Sequence, residues 1–331
     1  MLIVLFLSSF SLLATAHIGA HNITDDKPHY PSTPRSLPRA QEVEDPESYL
    51  SASAVVGVFS SGRGAKFRQR RELIRATWAS SKWLRGTRLE VVFVLERPAD
   101  PELLQALRQE QARQADLVLV DPQHTTAGAQ ALKTWSFLLW AAQRKPNASF
   151  VAKMDEDVWL HPHRFQRLLS SLKPQRSYWG VMQHAADQTA YMAKQAWVLS
   201  TDLVLWVQQH RSALLAVPRY STEANEALLV GRLVLAQGVS LTELEAGQPA
   251  AEWEVYDWGP DAALNSSNAE AVAGLPPQET LVVHRLKRTA ALLHTHDLFL
   301  GSLMRWSACA AADFHPPGCL AVLRGEQGWW V

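Results

Sequence analysis

The sequence predicts an α/β domain on a mostly parallel sheet covered on both faces, and three observations carry that prediction. Short apolar runs of strand length recur from Ala52 onward. Stretches with apolar residues at helical spacing lie between them. The two kinds alternate to about residue 175, and the strands are continuously apolar rather than alternating, as strands buried on both faces are.

The first strand is Ala52 to Phe59, and Ser60-Ser61-Gly62 supplies the turn after it. Arg68 to Trp83 has helical spacing, with Leu73, Ile74, Thr77 and Trp78 inward. Leu89 to Leu95 is a second strand, Pro101 to Ala115 a helix with a polar face, and Leu117 to Val120 a third strand. Ala129 to Gln143 is a helix carrying Leu132, Trp135, Leu138 and Leu139. Phe150 to Met154 is the fourth strand and Pro162 to Leu172 the next helix. Beyond residue 175 the pattern blurs, although Gln195 to Val207 and Asn225 to Leu235 read as ordered. There is no internal repeat and no glycine-rich phosphate loop of Walker or Rossmann type.

Composition narrows the function. Of 331 residues, 47% are hydrophobic, enough for a substantial core. Lys plus Arg and Asp plus Glu both number 32, a balance that argues against a nucleic-acid binder. The 13 Trp offer flat faces for sugar rings and nucleobases as well as core volume. The two cysteines, Cys309 and Cys319, form no metal-binding pattern, and free thiols and one disulfide stay open alternatives.

Residues 1–20 form an N-terminal targeting segment. Leu2 to Ala16 is apolar and uncharged, and Ala14-Thr15-Ala16 has the form of a cleavage site. A cleaved signal peptide and a short signal-anchor both fit, since a membrane-crossing helix of about 20 residues must include His17. Either one directs the chain into the secretory pathway. The sequons at Asn22, Asn147 and Asn265 suit that compartment. Residues 21–50, rich in Pro, Ser and charge, read as a stalk, and residues 51–331 as the globular domain.

The chemistry is expected at Asp155-Glu156-Asp157, directly after the fourth strand. Open α/β sheets bind ligands beyond the carboxyl ends of their strands. In an extended segment Asp155 and Asp157 point the same way, toward one hard cation such as Mn²⁺ or Mg²⁺, with Glu156 turned elsewhere. A solvated acidic turn ahead of the helix at Pro162 is the bland alternative.

The triplet stands among other motifs. Arg71-Glu72-Leu73-Ile74-Arg75-Ala76-Thr77-Trp78 fits an RxxIRxTW block, Glu110 with Asp116-Leu117-Val118-Leu119 an E…D-I/L-L block, and Ala131-Leu132-Lys133-Thr134 the end of an NLTxK block. Lys153 to Val158 is similar to KxDDDV, Tyr178-Trp179-Gly180 has a counterpart, and Val282-Val283-His284 sits where a late strand ends in His. In this order the blocks resemble the β-1,3-galactosyltransferase family, with its N-acetylglucosaminyltransferase and Fringe-like members. The resemblance spans about Ala52 to Leu300. It implies a single GT-A domain with a twisted, mostly parallel sheet, a UDP-sugar donor, Mn²⁺ or Mg²⁺, inversion at the anomeric carbon, a glycan or glycoprotein acceptor and a lumenal Golgi location. ER residence or secretion follows instead if the N-terminal segment is cleaved.

By that resemblance Asp155 and Asp157 are metal ligands and Glu156 the ribose contact; His284 is either a further ligand or a satisfied core or surface histidine at a strand end. Lys153 belongs to the same donor block. Arg71 and Arg75 share a helix face, either beside the donor or folding their helix onto the acidic strand. The basic run Arg63, Lys66, Arg68, Arg70 reads as a solvated face.

Three departures fall on the acceptor side. The family's base is the Asp of an ED-V-x-x-G block; here Glu226-Ala227-Leu228-Leu229-Val230-Gly231 keeps the Glu and Gly but puts Ala227 at the Asp. Glu226 and Glu223 are the substitute bases. A glycine-rich stretch is replaced by Tyr191 to Ala196, where Lys194 and Gln195 reshape the acceptor side. The first part of the NLTxK block is lost at Thr125 to Gln130. An active, divergent transferase is the preferred reading, and a UDP-sugar- or glycan-binding protein without turnover the alternative. A glycoside hydrolase is disfavoured, because so local a cluster does not supply two acids across a sugar ring.

Overall fold

The computed structural model describes residues 52–121, 129–217, 223, 225–238, 255–257, 281–287, 289, 291–293 and 295–300. The targeting segment, the stalk and both cysteines lie outside the described residues. Among the described residues no helix is long and apolar enough to cross a membrane.

Six strands make the main sheet, in the spatial order β3-β2-β1-β4-β7-β6. They are β1 (Ala54–Phe59), β2 (Leu89–Glu96), β3 (Leu117–Val120), β4 (Phe150–Asp155), β6 (Tyr178–His184) and β7 (Ala190–Ser200). The first four run parallel, and β7 pairs antiparallel with both β4 and β6. The expected α/β class and mostly parallel sheet are thus present. A second sheet is made of β5 (Trp159–Leu160), β9 (Val282–His284) and β8 (Val255–Asp257) in that order.

Among the described residues the helices include α1 (Ala65–Ala76), α2 (Ser81–Leu84), α3 (Pro101–Gln114), α4 (Ala129–Arg144), α5 (Pro162–Ser171), α6 (Thr201–Gln209), α7 (Arg211–Leu215) and α8 (Glu226–Ala236). Starts follow local chemistry. Asp100 caps α3 by accepting from the amides of Glu102 and Leu103, ahead of Pro101. Asn225 caps α8 through the amides of Ala227 and Leu228.

One expected helix is two. Arg68 to Trp83 breaks after Ala76, where the Thr77 hydroxyl turns back on the carbonyl of Leu73 at 2.8 Å and Ser80 opens α2. Ile74, Thr77 and Trp78 are buried as expected. Gln195 to Val207, expected to be ordered, is the end of β7 followed by α6.

The sheet separates two apolar layers. On one side Val56, Val58, Phe150, Ala152 and Met154 pack with Ile74, Trp78 and α5. On the other Val55, Val151, Trp197 and Leu199 pack with α4, α6 and α8. On β4 the alternation gives Phe150, Ala152 and Met154 to the first layer and Val151, Lys153 and Asp155 to the second. Gly231 lets α8 approach β7 closely: a Cβ there would lie 2.6 Å from the Cβ of Tyr191 and 2.7 Å from the carbonyl of Ala190. That approach brings the start of α8 to the carboxyl end of β4.

Candidate active site

A cleft of about 1030 Å³ opens at the carboxyl ends of β1 and β4. Asp155, the last residue of β4, lies in it, and the chain then turns, with the Val158 amide bonded to the Asp155 carbonyl at 3.3 Å. Asp155 and Asp157 therefore meet across a turn, not by the extended alternation expected. The chain continues into β5, which pairs with β9 so that Trp159 faces Val283. His284 is thereby set beside Asp157, its Nε2 3.5 Å from the carboxylate. One ligand atom each from Asp155, Asp157 and His284 lies within 4.8 Å of the others. Two carboxylates and an imidazole suit a Mn²⁺-like cation, so the donor set fits the metal that the resemblance implies.

The turn after His284 is tied to the triplet. The Leu286 amide donates to the Asp157 carbonyl at 2.9 Å, and Arg70 donates to the Lys287 carbonyl. Arg285 between them has φ of 66°, the left-handed region that non-glycine residues rarely enter. Glu156 also faces the cleft. Burial raises its pKa, while the Ser60 hydroxyl and the Arg70 charge pull it back.

Beneath this floor Lys153 is fully buried, its Nζ 2.5 Å from both Asp155 and Glu226 and bonded to the Lys194 carbonyl. Burial opposes its charge, but Glu226 and Asp155 together hold its pKa above the ordinary lysine value. Glu226 also accepts from Thr134 at 3.3 Å. Lys133, whose pKa burial lowers, donates to the Ser60 carbonyl at 2.8 Å.

Asp155, Glu156, Asp157, His284 and Glu226 line the one cleft. The other expected site residues stand elsewhere. Arg71 is buried and bound through both ends of its fork to Glu110, at 2.8 and 2.6 Å, and to the Ser61 carbonyl at 2.8 Å. Arg75 binds Asp116 at 2.7 and 2.8 Å and Glu110 at 2.9 Å. Both arginines hold α1 and the Ser60-Ser61 turn against α3, the second of the two roles open to them, and the E…D block is their counter-ion. Lys153 lies under the cleft, in contact with no open space. Glu223 is paired to Arg232 at 2.5 Å and accepts from the Asn225 amide.

Sequence reasoning missed Lys66 and Arg70, which line the cleft instead of a solvated face. The signal was present in the spacing: Lys66 and Arg70 are four apart on α1, one turn along the same helix face. Lys194 and Gln195 line the same cleft, with Tyr191, Glu226 and Ala227. The stretch Ala251 to Trp258 falls mostly outside the described residues.

Residues 69–220 match the family model described as Galactosyltransferase. The chain is 30% identical over 113 residues to beta-1,3-galactosyltransferase 1 of Mus musculus, covering 33% of each chain. It is 25% identical over 236 residues to human beta-1,3-galactosyltransferase 4, covering 70% of this chain and 55% of that one. It is 32% identical over 111 residues to human N-acetyllactosaminide beta-1,3-N-acetylglucosaminyltransferase 3, covering 32% and 30%. The match to beta-1,3-galactosyltransferase 1 thus spans about a third of that relative's length. Among solved structures, the galactosyltransferase LgtC in complex with donor and acceptor sugar analogs superposes with a TM-score of 0.36 at 11% identity, covering 82% of this chain and 95% of that one.

Proposed function

Because residues 69–220 match the galactosyltransferase family model, we propose that the chain is a divergent member of that family, an inverting, metal-dependent hexosyltransferase that moves a sugar from a UDP-sugar to a glycan acceptor in β-1,3 linkage. The observation that carries this reading is the convergence of Asp155, Asp157 and His284 in one cleft from two distant segments of the chain. Galactose and N-acetylglucosamine are the donor sugars that the relatives' names suggest. The apolar N-terminal segment supports a lumenal Golgi domain, anchored if that segment is retained.

In the reaction the bond from the anomeric carbon to the diphosphate breaks, a bond to the acceptor oxygen forms, and the acceptor hydroxyl loses a proton. Asp155, Asp157 and His284 would hold the cation, which when bound supplies positive charge to the departing diphosphate. Lys153 fixes Asp155 from below, and Leu286 fixes the backbone of Asp157. The weak point is the base. Glu226 reaches the cleft but is held by Lys153 and Thr134, and Ala227 beside it has no acid.

That observation favours a second reading, nucleotide binding without turnover. Both are tested on the full chain, in mild detergent, with Mn²⁺, a panel of UDP-sugars and simple glycan acceptors, following UDP release. Mn²⁺-dependent release that is lost in Asp157→Ala supports the transferase. UDP binding without release from any donor supports the binding protein. Release regained in Ala227→Asp would then identify the missing acid.

A further inference from the structure

The cleft wall formed by α1 holds a guanidinium whose bonding is incomplete. Arg70 reaches over the acidic turn, close enough for Glu156 and Asp157 to act on its charge, yet among the described residues it forms no ion pair with either. Its Nη2 donates to the Lys287 carbonyl, and its Nη1, shielded from solvent, has no hydrogen-bond partner among them. A buried donor left unmade is costly, more so on a charged group. The group is also desolvated, and burial pulls its pKa down from the ordinary arginine value. Arg70 is one turn from Lys66 on α1 and against the turn after His284, and Lys66, Arg70, Arg285 and Lys287 all line the cleft.

The turn it grips is itself under constraint. Arg285 keeps its left-handed backbone between two ties, Leu286 to Asp157 and Lys287 to Arg70. Such outliers persist only where their surroundings over-determine them, and they gather at ligand sites. One tie to Lys287 fixes where the guanidinium plane stands, and Nη1 is left with a hydrogen bond unmade beside the cleft that Arg70 lines. A planar guanidinium with a free N–H suits phosphate oxygen, which bonds it more strongly than a neutral acceptor would.

We propose that Arg70 binds an oxygen of the donor's diphosphate, from the side of the cleft opposite Lys153, and so completes the anion site begun by the metal ligands. This rests on the reading of the cleft as a nucleotide-sugar site. It assigns the α1 wall to the diphosphate and leaves the β7 and α8 wall to the acceptor.

The test measures binding of UDP and of uridine, each with Mn²⁺, to the full chain and to Arg70→Met and Arg70→Lys, together with Mn²⁺ affinity by electron paramagnetic resonance. Arg70→Met is expected to weaken UDP at least tenfold while uridine and Mn²⁺ affinities stay unchanged. Arg70→Lys, which keeps the charge without the fork, is expected to fall between. Unchanged UDP affinity in Arg70→Met overturns the proposal. So does an equal loss for UDP and uridine, or a loss of Mn²⁺ affinity, because either would show that Arg70 only positions the turn at His284. A wild-type chain that binds Mn²⁺ but not UDP overturns the nucleotide reading itself, and this proposal with it.

Discussion

The two walls of the cleft are built differently. On the side of α1 and β9, the contacts described are longer or go to the backbone: His284 Nε2 lies 3.5 Å from the Asp157 carboxylate, and Arg70 donates to the Lys287 carbonyl. On the side of β7 and α8, charge is already matched, since Lys153 joins Asp155 to Glu226 and Arg232 joins Glu223 to Asp187. A wall whose buried charges are paired with one another holds shape. The departures from the galactosyltransferase motifs that the chain resembles, at Ala227 and at Tyr191 to Ala196, fall on the second wall.

The largest effect expected is on the first wall. Asp157→Ala should lower Mn²⁺-dependent UDP release on the order of 10²–10³-fold, with little loss of stability, as the carboxylate is partly exposed. A similar loss of stability on denaturation would put Asp157 in the scaffold instead. Next comes the second wall. Lys153→Met leaves Glu226 buried without its counter-ion and should destabilise the fold by about 3–5 kcal/mol in urea unfolding. The double change with Glu226→Leu should recover most of that loss. A Lys153→Met protein of wild-type stability would mean that the buried pair does not hold this wall.

A control away from both walls follows. His163 on α5 is buried and its pKa is lowered by that burial to about 4. An unfolded histidine titrates near 6.5, so between about pH 6.5 and 4 the unfolded chain binds the extra proton. The stability that His163 contributes is therefore complete above pH 6.5 and lost as pH falls to 4, by about 3 kcal/mol. His163→Gln should flatten that part of the pH–stability curve. The smallest effect expected is at Gly231. Gly231→Ala should cost about 1–3 kcal/mol by pushing α8 from β7. If α8 carries the acceptor side, the KM for acceptor should rise more than the KM for donor.

Where periodicity is strong the sequence was readable. β3 and the helices α3, α4 and α5 fall within a residue or two of expectation, because apolar runs, Pro101 and Pro162 mark their ends. Asp155, Asp157 and His284 are legible from their motif blocks, and they share a cleft. The roles of Arg71, Arg75, Lys153 and Glu226 were not readable, because each depends on a partner far along the chain. A lysine beside an acidic triplet looks like a ligand contact until the strand alternation sends it toward α8. Likewise Arg70 and Arg71 are adjacent in sequence and alike in chemistry. Only the helix rotation separates them, one toward Glu110 and the other toward the cleft.

His284 reaches Asp157 through the three-stranded sheet, with β9 paired between β5 and β8. A cation shared by Asp155, Asp157 and His284 would act as a reversible cross-link between segments that the chain keeps far apart. Such a link stabilises the folded chain in proportion to the logarithm of free cation, by about 2.7 kcal/mol at a hundred times its dissociation constant. The late strand would then be held least firmly in chelator and most firmly where free cation is abundant, so that the durability of the fold itself becomes a gauge of the surrounding ion supply.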